Sequence, residues 1–488
     1  MMAVNRKQHF GFRRLNALVI LVLLFSVGWA ASAQAPNPTS AANPFFGSVT
    51  AQARSDETLK LSLDDAVARG LKNNLGLKEA ESDELQVRGE KNEAIQMFLP
   101  TITLKGDTGI YQHNLAAQGF GPSVISKFAG LFPGGTMPKI SLITKDDLTD
   151  GQVQFGEMLF SGPVIGAFKA ASAAEKAAHF AKMTARGEVV QQVATAYLHA
   201  IAAQSEVDNA QALVSQAQVL FDHAHQSHLA GVAANIDELR AQVQLQAQQQ
   251  ALIYAQNALT KDLILLKRET GIDPGQNIAL TDAAPFSDLA EQTPEEVRAV
   301  AYKNRQDYQN LQNQIVVYKA LHQISKSERL PSLLFTSYYG TSTVNGAGTH
   351  GNFIAMGTLT VPLFREAGLR GDADASAAQL NAINAQLADL HNHIDEQVRS
   401  ALLDVNASKQ LVDVARSNVD LATRALSDET DRVNAGVDDN LPLVTAQGTL
   451  ASAENNLVES LYQYNVSKLA LARAAGVLEQ QYRDYLGK

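Results

Sequence analysis

Three histidines lie close together near the middle of the chain, at His223, His225 and His228. Imidazole nitrogens bind zinc and other transition metals, so these residues are the first candidates for a metal site. On a helix, spacings of two and five residues place the three side chains on different faces, and the neighbouring sequence offers no evident fourth ligand. The pattern therefore favours a solvated helix end over a metal centre.

The other residues that could do chemistry also fit simpler explanations. His391 and His393 are only two residues apart, which again separates them on a helix. Asp64 and Asp65 begin a helical pattern, where negative charge interacts favourably with the helix dipole, so this role is favoured over paired carboxylate catalysis. The chain contains no nucleophile elbow, phosphate-binding loop or zinc motif. We therefore predict no catalytic residue, no cofactor and no metal.

Composition excludes further classes of chemistry. The chain has 488 residues, of which 45% are hydrophobic, so it can form two or three structural units. It has no cysteine, which rules out disulfides, thiolate catalysis, cysteine-based metal sites and a lipid-anchored N-terminal cysteine.

The first residues have the form of an export signal. Four basic residues precede an apolar run at residues 15–30, and a small-x-small sequence follows at 31–33. Residues 1–33 are therefore predicted to be a signal peptide. Its removal takes away four positive charges and no acidic ones, so the formal net charge falls from −10 to −14 and nucleic acid is not an expected partner. Residues 34–58, rich in Pro, Ser, Ala and Asn, predict an extended linker.

The sequence repeats itself over most of its length. Residues 193–271 align without a gap on residues 398–476, an offset of 205. Upstream the offset is 231, so the first copy holds 26 extra residues. We infer a first repeat at 59–271, a linker at 272–293, a second repeat at 294–476 and a C-terminal tail at 477–488.

Each copy contains a long helix with an apolar seam. The seam residues recur in alternating steps of three and four, as in a coiled coil, and every second one is small. In the second copy they are Val398, Ala401, Val405, Ser408, Val412, Ala415, Val419, Ala422 and Leu426, and equivalent residues begin at Val193 in the first copy. Runs free of Gly and Pro reach at least 40 residues in both copies, so we expect paired helices roughly 60 Å long or more.

Each long helix ends in a hairpin tip, at residues 231–235 and 436–440. Gly231 and Gly436 suit the left-handed residue that closes a helix. Asn235 and Asn440 suit the N-cap of the return helix, and Glu238 could complete a capping box with Asn235.

Between the helices the apolar period changes to two, which predicts strands. Four segments alternate in this way, at about 101–111, 151–160, 332–344 and 352–364. Their length and alternation are typical of strands that span an outer membrane. Residues 112–147 predict an enlarged loop within the first hairpin. Four strands cannot close a barrel, and open sheet edges are not tolerated in lipid, so we expect the chain to oligomerise.

The order of these elements resembles the TolC-type outer-membrane efflux protein family. The likeness covers about residues 59–476 and includes the sequences LSLDDAVARGLKNN, FLP, VPLF and the two AGV tips. It implies a mainly α fold with membrane β-strands, in which three chains form one twelve-stranded barrel and a periplasmic α-helical barrel. The location implied is the outer membrane of a Gram-negative cell envelope, with a long periplasmic extension.

The resemblance also implies partners and site residues. The partners would be outer-membrane lipid, two further copies of the chain, a periplasmic adaptor, and an inner-membrane pump or ABC exporter. The periplasmic gate would involve Asp237, Asp438 and Asp439, with Pro442 replacing the acidic residue usual in the second copy. The adaptor contact would lie at the tips and comprise Gly231, Val232, Asn235, Gly436, Val437 and Asn440.

Other classes of protein remain as alternatives. A periplasmic coiled-coil adaptor, or a structural protein of an envelope-spanning complex, also has helical hairpins. An adaptor would, however, carry one hairpin and lipoyl-like β modules, which we do not find. A secreted enzyme would need a site that the sequence does not display. The interpretation we favour is a passive export channel for small molecules or proteins.

Overall fold

Long helices and one antiparallel sheet make up most of the structure. The computed structural model describes residues 43–49, 53–117, 119, 124, 127, 143–231, 234–283, 286–344, 348–435 and 440–487. Over these residues, no helix combines the length and the apolar character needed to cross a membrane.

Within the described residues, the first half of the chain contains a short 3-10 turn, four strands and four helices. In chain order the elements are a 3-10 turn at Pro44–Phe46, β1 at Leu59–Leu61, α1 at Leu63–Asn73, α2 at Leu75–Gln96, β2 at Thr101–Asn114, β3 at Ile143–Phe160, α3 at Gly162–Leu229, α4 at Asn235–Thr270 and β4 at Ile278–Leu280.

The second half follows the same order. Its elements are α5 at Pro294–Asn304, α6 at Gln306–Ser327, β5 at Ser332–Val344, β6 at Gly348–Thr360, α7 at Glu366–Asn434, α8 at Asn440–Ala474 and α9 at Leu478–Leu486. Helices α3 and α7 contain 68 and 69 residues. Each is therefore about 100 Å long at 1.5 Å per residue, well beyond the length expected from the sequence.

The predicted seams lie inside the helix pairs. Val398 and Val412 on α7 and Val193 on α3 are fully buried, and the small residues Ala401 and Ser408 are almost so. Small side chains at alternate seam positions let neighbouring helices approach closely. The heptad pattern therefore identified the packing face of each long helix correctly.

The four long strands form one sheet in the order β2-β3-β5-β6. The first hairpin is longer than predicted, because residues 112–114 and 143–147, which we assigned to the loop, continue β2 and β3 with paired register from Asn114↔Ile143 onward. The last strand also lies four residues earlier than predicted, at Gly348–Thr360 rather than 352–364. Both differences arise because cross-strand pairing extends a strand past the point where its alternation of apolar residues ends.

A belt of core packing surrounds the middle of the long helices, at residues 185–201 of α3 and 394–412 of α7. Strands β1 and β4 pair in parallel there, joining the predicted linker 272–293 to the start of the first repeat. The hydroxyl of buried Tyr197 donates to the Leu61 carbonyl at 2.9 Å and to Asp282 Oδ2 at 2.8 Å. On the other side, the Leu289 N–H donates to the Tyr464 hydroxyl at 3.1 Å. The linker is therefore an ordered part of the fold.

The predicted C-terminal tail is also ordered. Residues 478–486 form α9, whose buried residues are Leu478, Tyr482, Tyr485 and Leu486. The spacing of these residues places them on one helical face, which packs against the belt. The Tyr482 hydroxyl donates to Asp64 Oδ1 at 2.6 Å, and the Arg483 guanidinium contacts the same oxygen. The predicted tail therefore contains a helix, because a nine-residue amphipathic segment is stabilised by tertiary packing.

Candidate functional site

The first hairpin tip closes as its glycine predicts. Gly231 has a φ of 73°, in the left-handed region where glycine carries no steric cost. Its N–H donates to the His228 carbonyl at 2.9 Å, which completes the last turn of α3. Val232, the neighbouring predicted contact residue, lies outside the described residues.

The predicted cap of the return helix is shifted by one residue. The N-cap of α4 is Ala234, without a side-chain hydrogen bond, and Asn235 is the first helical residue. Glu238 does not form the expected capping box, because its Oε1 is 2.8 Å from the Nδ1 of His225 across the hairpin. The contact with His225 therefore engages the carboxylate that the capping-box pattern had predicted at the start of α4.

The histidines of the tip face the return helix. His225 is in contact with Glu238, and the Nε2 of His228 lies 3.8 Å from the other carboxyl oxygen. His223 is exposed. Within the described ranges, no group of three or more His, Asp or Glu side chains is placed to hold a metal ion. Glu238 therefore links the two helices of the first hairpin through its contacts with His225 and His228.

The predicted acidic residues of the tips differ in their surroundings. Asp237 is close to a cation, with its Oδ1 3.5 Å from the Nη1 of Arg240. Asp438 and Asp439 lie outside the described residues, as do Gly436 and Val437. Helix α8 begins at Asn440, the equivalent of Asn235. At the first tip, the structure therefore describes Gly231 and Asn235. At the second tip, it describes only the end of α7 and the start of α8.

A small apolar core joins the two hairpins near their tips. Leu220 and Ala224 from α3, Ala241 from α4 and Leu443 from α8 are buried together. The first turn, with His225 and His228 beside it, therefore rests on a packed base that includes helices of both repeats. A movement of one tip relative to the other would have to separate this core.

Beside this core, an open apolar groove of about 310 Å³ lies between α4 and α8. Its apolar lining residues are Ile236, Leu239, Val243, Leu441 and Val444, with Arg240 and Gln244 at its border. The sequence analysis did not identify this groove. The spacing of Ile236, Leu239 and Val243, in steps of three and four on a face away from the buried seam, was the signal that could have revealed it.

Two of the long helices carry a second apolar stripe that is exposed in the single chain. On α4 it consists of Ile236, Leu239, Val243, Ile253 and Ile264, and on α7 of Leu403, Leu411, Val414 and Leu421. The α4 stripe follows coiled-coil spacing, and the α7 residues, at steps of eight, three and seven, lie on one face of the helix. Long apolar stripes on a helix are typical of surfaces that pack against another helix.

The sheet has one apolar and one polar face. A row of partners across all four strands, Leu104, Val153, Tyr339 and Phe353, is apolar and largely exposed. The adjacent row on the opposite face consists of Lys105, Gln152, Gly340 and Asn352. Lys105 Nζ lies 2.5 Å from Asp107 Oδ2 on this polar face. Alternation of this kind suits a sheet with lipid on one side and water on the other.

Comparison with known proteins agrees with this architecture. The sequence model of the family described as outer membrane efflux protein matches residues 146–271 and 298–477, which is more than half of the chain. Outer membrane protein TolC of Escherichia coli is 23% identical over 355 residues, covering 68% of this chain and 70% of the relative. The alkaline protease secretion protein AprF of Pseudomonas aeruginosa is 23% identical over 310 residues, covering 60% and 62%.

The solved structures show the same fold. The Campylobacter jejuni CmeC outer membrane channel superposes with a TM-score of 0.71 at 14% identity, covering 91% of this chain and 95% of that one.

Proposed function

Because the chain belongs to the outer membrane efflux protein family, we propose that it is a passive trimeric export duct, gated at its periplasmic helix tips. The family places it in the outer membrane, with its helices extending into the periplasm. The family is one of channels rather than enzymes.

The sheet supports assembly from several chains. Strands β2 and β6 are the two edges of a four-stranded sheet, and each leaves one row of backbone N–H and C=O groups without a partner strand. In a lipid bilayer an unpaired edge costs several kcal/mol per group, so the edges must pair with another copy. Three copies joined edge to edge give a closed barrel of twelve strands, with the face of Leu104 and Phe353 toward lipid and the face of Lys105 toward water.

The second stripes on α4 and α7 support the same assembly below the membrane. Each chain presents one stripe on its first hairpin and one on its second, so a ring of copies can pack α4 of one subunit against α7 of the next. Such packing buries apolar side chains that the single chain exposes, for example Val243 and Leu421. At about 25 cal/mol per Å² of buried apolar area, this burial favours the ring. The closed ring of helices then forms a tunnel continuous with the barrel.

The tips are the proposed gate and docking region. Asp438 and Asp439 would converge near the axis on the second-copy tips, with Asp237 on the first-copy tips contributing less because Arg240 lies beside it. The contact with a periplasmic adaptor would use Gly231, Val232, Asn235, Gly436, Val437 and Asn440. The adaptor would link the duct to an inner-membrane pump or ABC exporter. The names of the relatives span efflux and protease secretion, so both cargo classes remain within the proposal.

The observation that carries the proposal is the pair of opposite sheet faces, apolar at Leu104 and polar at Lys105, in a four-stranded sheet with two open edges. Planar bilayer recording of the purified protein tests it. We expect discrete, long-lived conductance steps after addition of the detergent-solubilised oligomer. A matched preparation carrying charges on the lipid face, Leu104→Asp with Phe353→Asp, should insert poorly and give few steps. Absence of channel activity from a correctly folded wild-type oligomer would refute the duct.

A further inference from the structure

A cluster of ionisable side chains lies between the two hairpins, away from the tips. His199 and Glu206 lie on α3, one heptad apart, Asp262 lies on α4, and Glu459 and Tyr462 lie on α8. His199 is 30 residues before the end of α3, which places it about 45 Å from the first tip. Its neighbours Leu198 and Ile201 belong to the belt core. The cluster therefore lies where both hairpins leave the belt.

His199, on α3, contacts side chains of both α4 and α8. Its Nδ1 lies 3.0 Å from Asp262 Oδ2 on α4. Its ring meets the ring of Tyr462 on α8 edge-on, with centroids 5.3 Å apart and an interplanar angle of 76°. Helix α8 belongs to the second repeat, whereas α3 and α4 belong to the first. One imidazole thus touches the elements on both sides of the boundary between the repeats.

The contact between His199 and Asp262 depends on charge. Asp262 Oδ2 is buried and has no aligned hydrogen-bond donor, although the imidazole nitrogen is within ion-pair distance. Burying a carboxylate oxygen without a hydrogen-bond donor raises the free energy of the folded state unless a positive charge is close. A protonated His199 supplies that charge, and a neutral one supplies only a weak dipole.

The remaining groups at this position are acidic. Glu206 is partly buried, and its pKa is raised above the ordinary value, first by burial and then by the nearby charges of Glu459 and Asp262, while His199 acts in the opposite direction. The side chain of Glu459 accepts a hydrogen bond from Gln463 at 2.7 Å. The four charged groups that face one another across α3, α4 and α8 are therefore three carboxylates and one histidine, with the phenol of Tyr462 beside them.

We propose that His199, Glu206, Asp262 and Glu459 form a proton-responsive clasp that holds the root of the second hairpin against the first. At acidic pH the charged imidazole balances the carboxylates and α8 stays packed on α3 and α4. At alkaline pH the imidazole is neutral, the carboxylates repel one another, and α8 loosens. The titration of Glu206 acts in the same direction, since a carboxyl with a raised pKa loses its charge on acidification before an ordinary one. Histidine in general changes charge within the range experienced by an envelope protein.

The effect of the clasp on channel opening rests on the proposed function, whereas its effect on helix packing does not. Hydrogen exchange of the full-length oligomer in detergent measures the packing directly. At about pH 5.5 and about pH 8, with rates corrected for intrinsic exchange, we expect the protection of residues 455–466 to be about two- to fivefold lower at the higher pH, the size of a partly exposed charge interaction.

Two variants of opposite charge test the assignment. His199→Gln removes the switchable charge and should give low protection at both pH values. His199→Lys keeps a cation throughout and should give high protection at both. His223→Gln, a matched change at an exposed histidine of the same helix, should keep the wild-type pH response. A wild-type response that is absent, or that survives His199→Gln, would overturn the clasp.

Single-channel recording of the same variants separates the clasp from the duct. If the clasp biases the gate, the open probability of the wild type rises with pH and that of His199→Lys does not. If hydrogen exchange depends on pH but the open probability does not, the clasp acts on helix packing and not on gating. Failure to conduct at every pH, with the exchange response intact, would instead contradict the proposed duct.

Discussion

Gln192 on α3 donates a hydrogen bond from Nε2 to Oε1 of Glu269 on α4 at 3.0 Å, while the second carboxyl oxygen of Glu269 is buried without a hydrogen-bond partner. Glu269 has no exposed surface. Burial is the main cause that raises the pKa of its carboxyl group from 4.5 to about 7. The belt therefore contains a carboxyl group that ionises near neutral pH and at a cost to the folded state.

Replacing Glu269 with Gln should stabilise the protein at alkaline pH. Because the folded-state pKa lies above the unfolded value, the group lowers stability as pH rises from 4.5, and the full cost is present above about pH 7. A shift of this size corresponds to roughly 3 kcal/mol. Gln keeps the shape of the side chain and can still accept from Gln192. We expect a higher thermal unfolding midpoint than wild type at about pH 8 and no gain near pH 4.5.

Glu93→Gln is the matched control, since Glu93 is exposed on α2. It should leave the unfolding midpoint close to that of wild type at both pH values. An equal gain for Glu269→Gln at both pH values would show that the effect comes from packing and not from ionisation.

Tyr197 should be required to hold the linker, residues 272–293, against the belt. Its buried hydroxyl donates to Leu61 and Asp282, and Asp282 Oδ2 also accepts the Leu63 N–H at 2.7 Å. Tyr197→Phe removes the donor and leaves the buried Leu61 carbonyl and the partly buried Asp282 carboxylate with one fewer partner, at a cost of about 1–3 kcal/mol. We expect a lower unfolding midpoint and faster proteolysis within residues 272–293.

Tyr254→Phe removes a hydroxyl of the same kind from the exposed face of α4, where it accepts only from Gln250 at 3.3 Å. This change should leave both the midpoint and the cleavage rate as in wild type. If the two variants behave alike, the anchoring role of Tyr197 is disproved.

The exposed stripe on α4 should be required for assembly. Ile253 has 65% of its surface exposed in the single chain, and Glu at this position would bury a charge in the proposed contact with α7 of the next subunit. We expect Ile253→Glu to reduce the yield of oligomer on size-exclusion chromatography in mild detergent. Gln256→Glu adds the same charge about 60° away on the helix, at a residue outside the stripe, and should assemble normally. Normal assembly of both would place the subunit contact elsewhere.

The acidic residues of the second tip should control ion selectivity. Rings of carboxylates attract cations, so the duct should prefer cations and be sensitive to divalent ions on the periplasmic side. Replacing Asp438 and Asp439 together by Ala should weaken both properties and leave the oligomer intact, because exposed turn charges contribute little to stability. Asp237→Ala should have a smaller effect, since Arg240 already lies beside it. Wild-type selectivity and block in single-channel recordings of the double variant would make these residues an ordinary polar turn.

The seams and turns of the long helices could be predicted from the sequence because their signals are local. Val412 is buried and Gly231 is left-handed, as heptad spacing and residue type indicated. The strand segments could be recognised by alternation, but their ends could not, since pairing such as Asn114↔Ile143 is a property of two segments together.

The errors of prediction arose where distant residues decide the structure. Asn235 does not cap α4, because the N-cap is Ala234 and Asn235 is the first helical residue, while Glu238 contacts His225 across the hairpin. The three-residue pairing of β1 with β4 carries too little sequence pattern to be found without the fold. Helix α9 lies within the predicted tail, and the amphipathic spacing of Leu478, Tyr482, Tyr485 and Leu486 is the signal that could have revealed it. The cluster around His199 joins three helices and has no signature along the chain.

The central claim is that three copies of this chain close one channel. Native mass spectrometry of the protein released from mild detergent tests it most directly, because each stoichiometry has a distinct mass. We predict a single assembly with the mass of three mature chains. A stable monomer, or an assembly of two or four chains as the main species, would contradict the twelve-stranded barrel and the gate built on it.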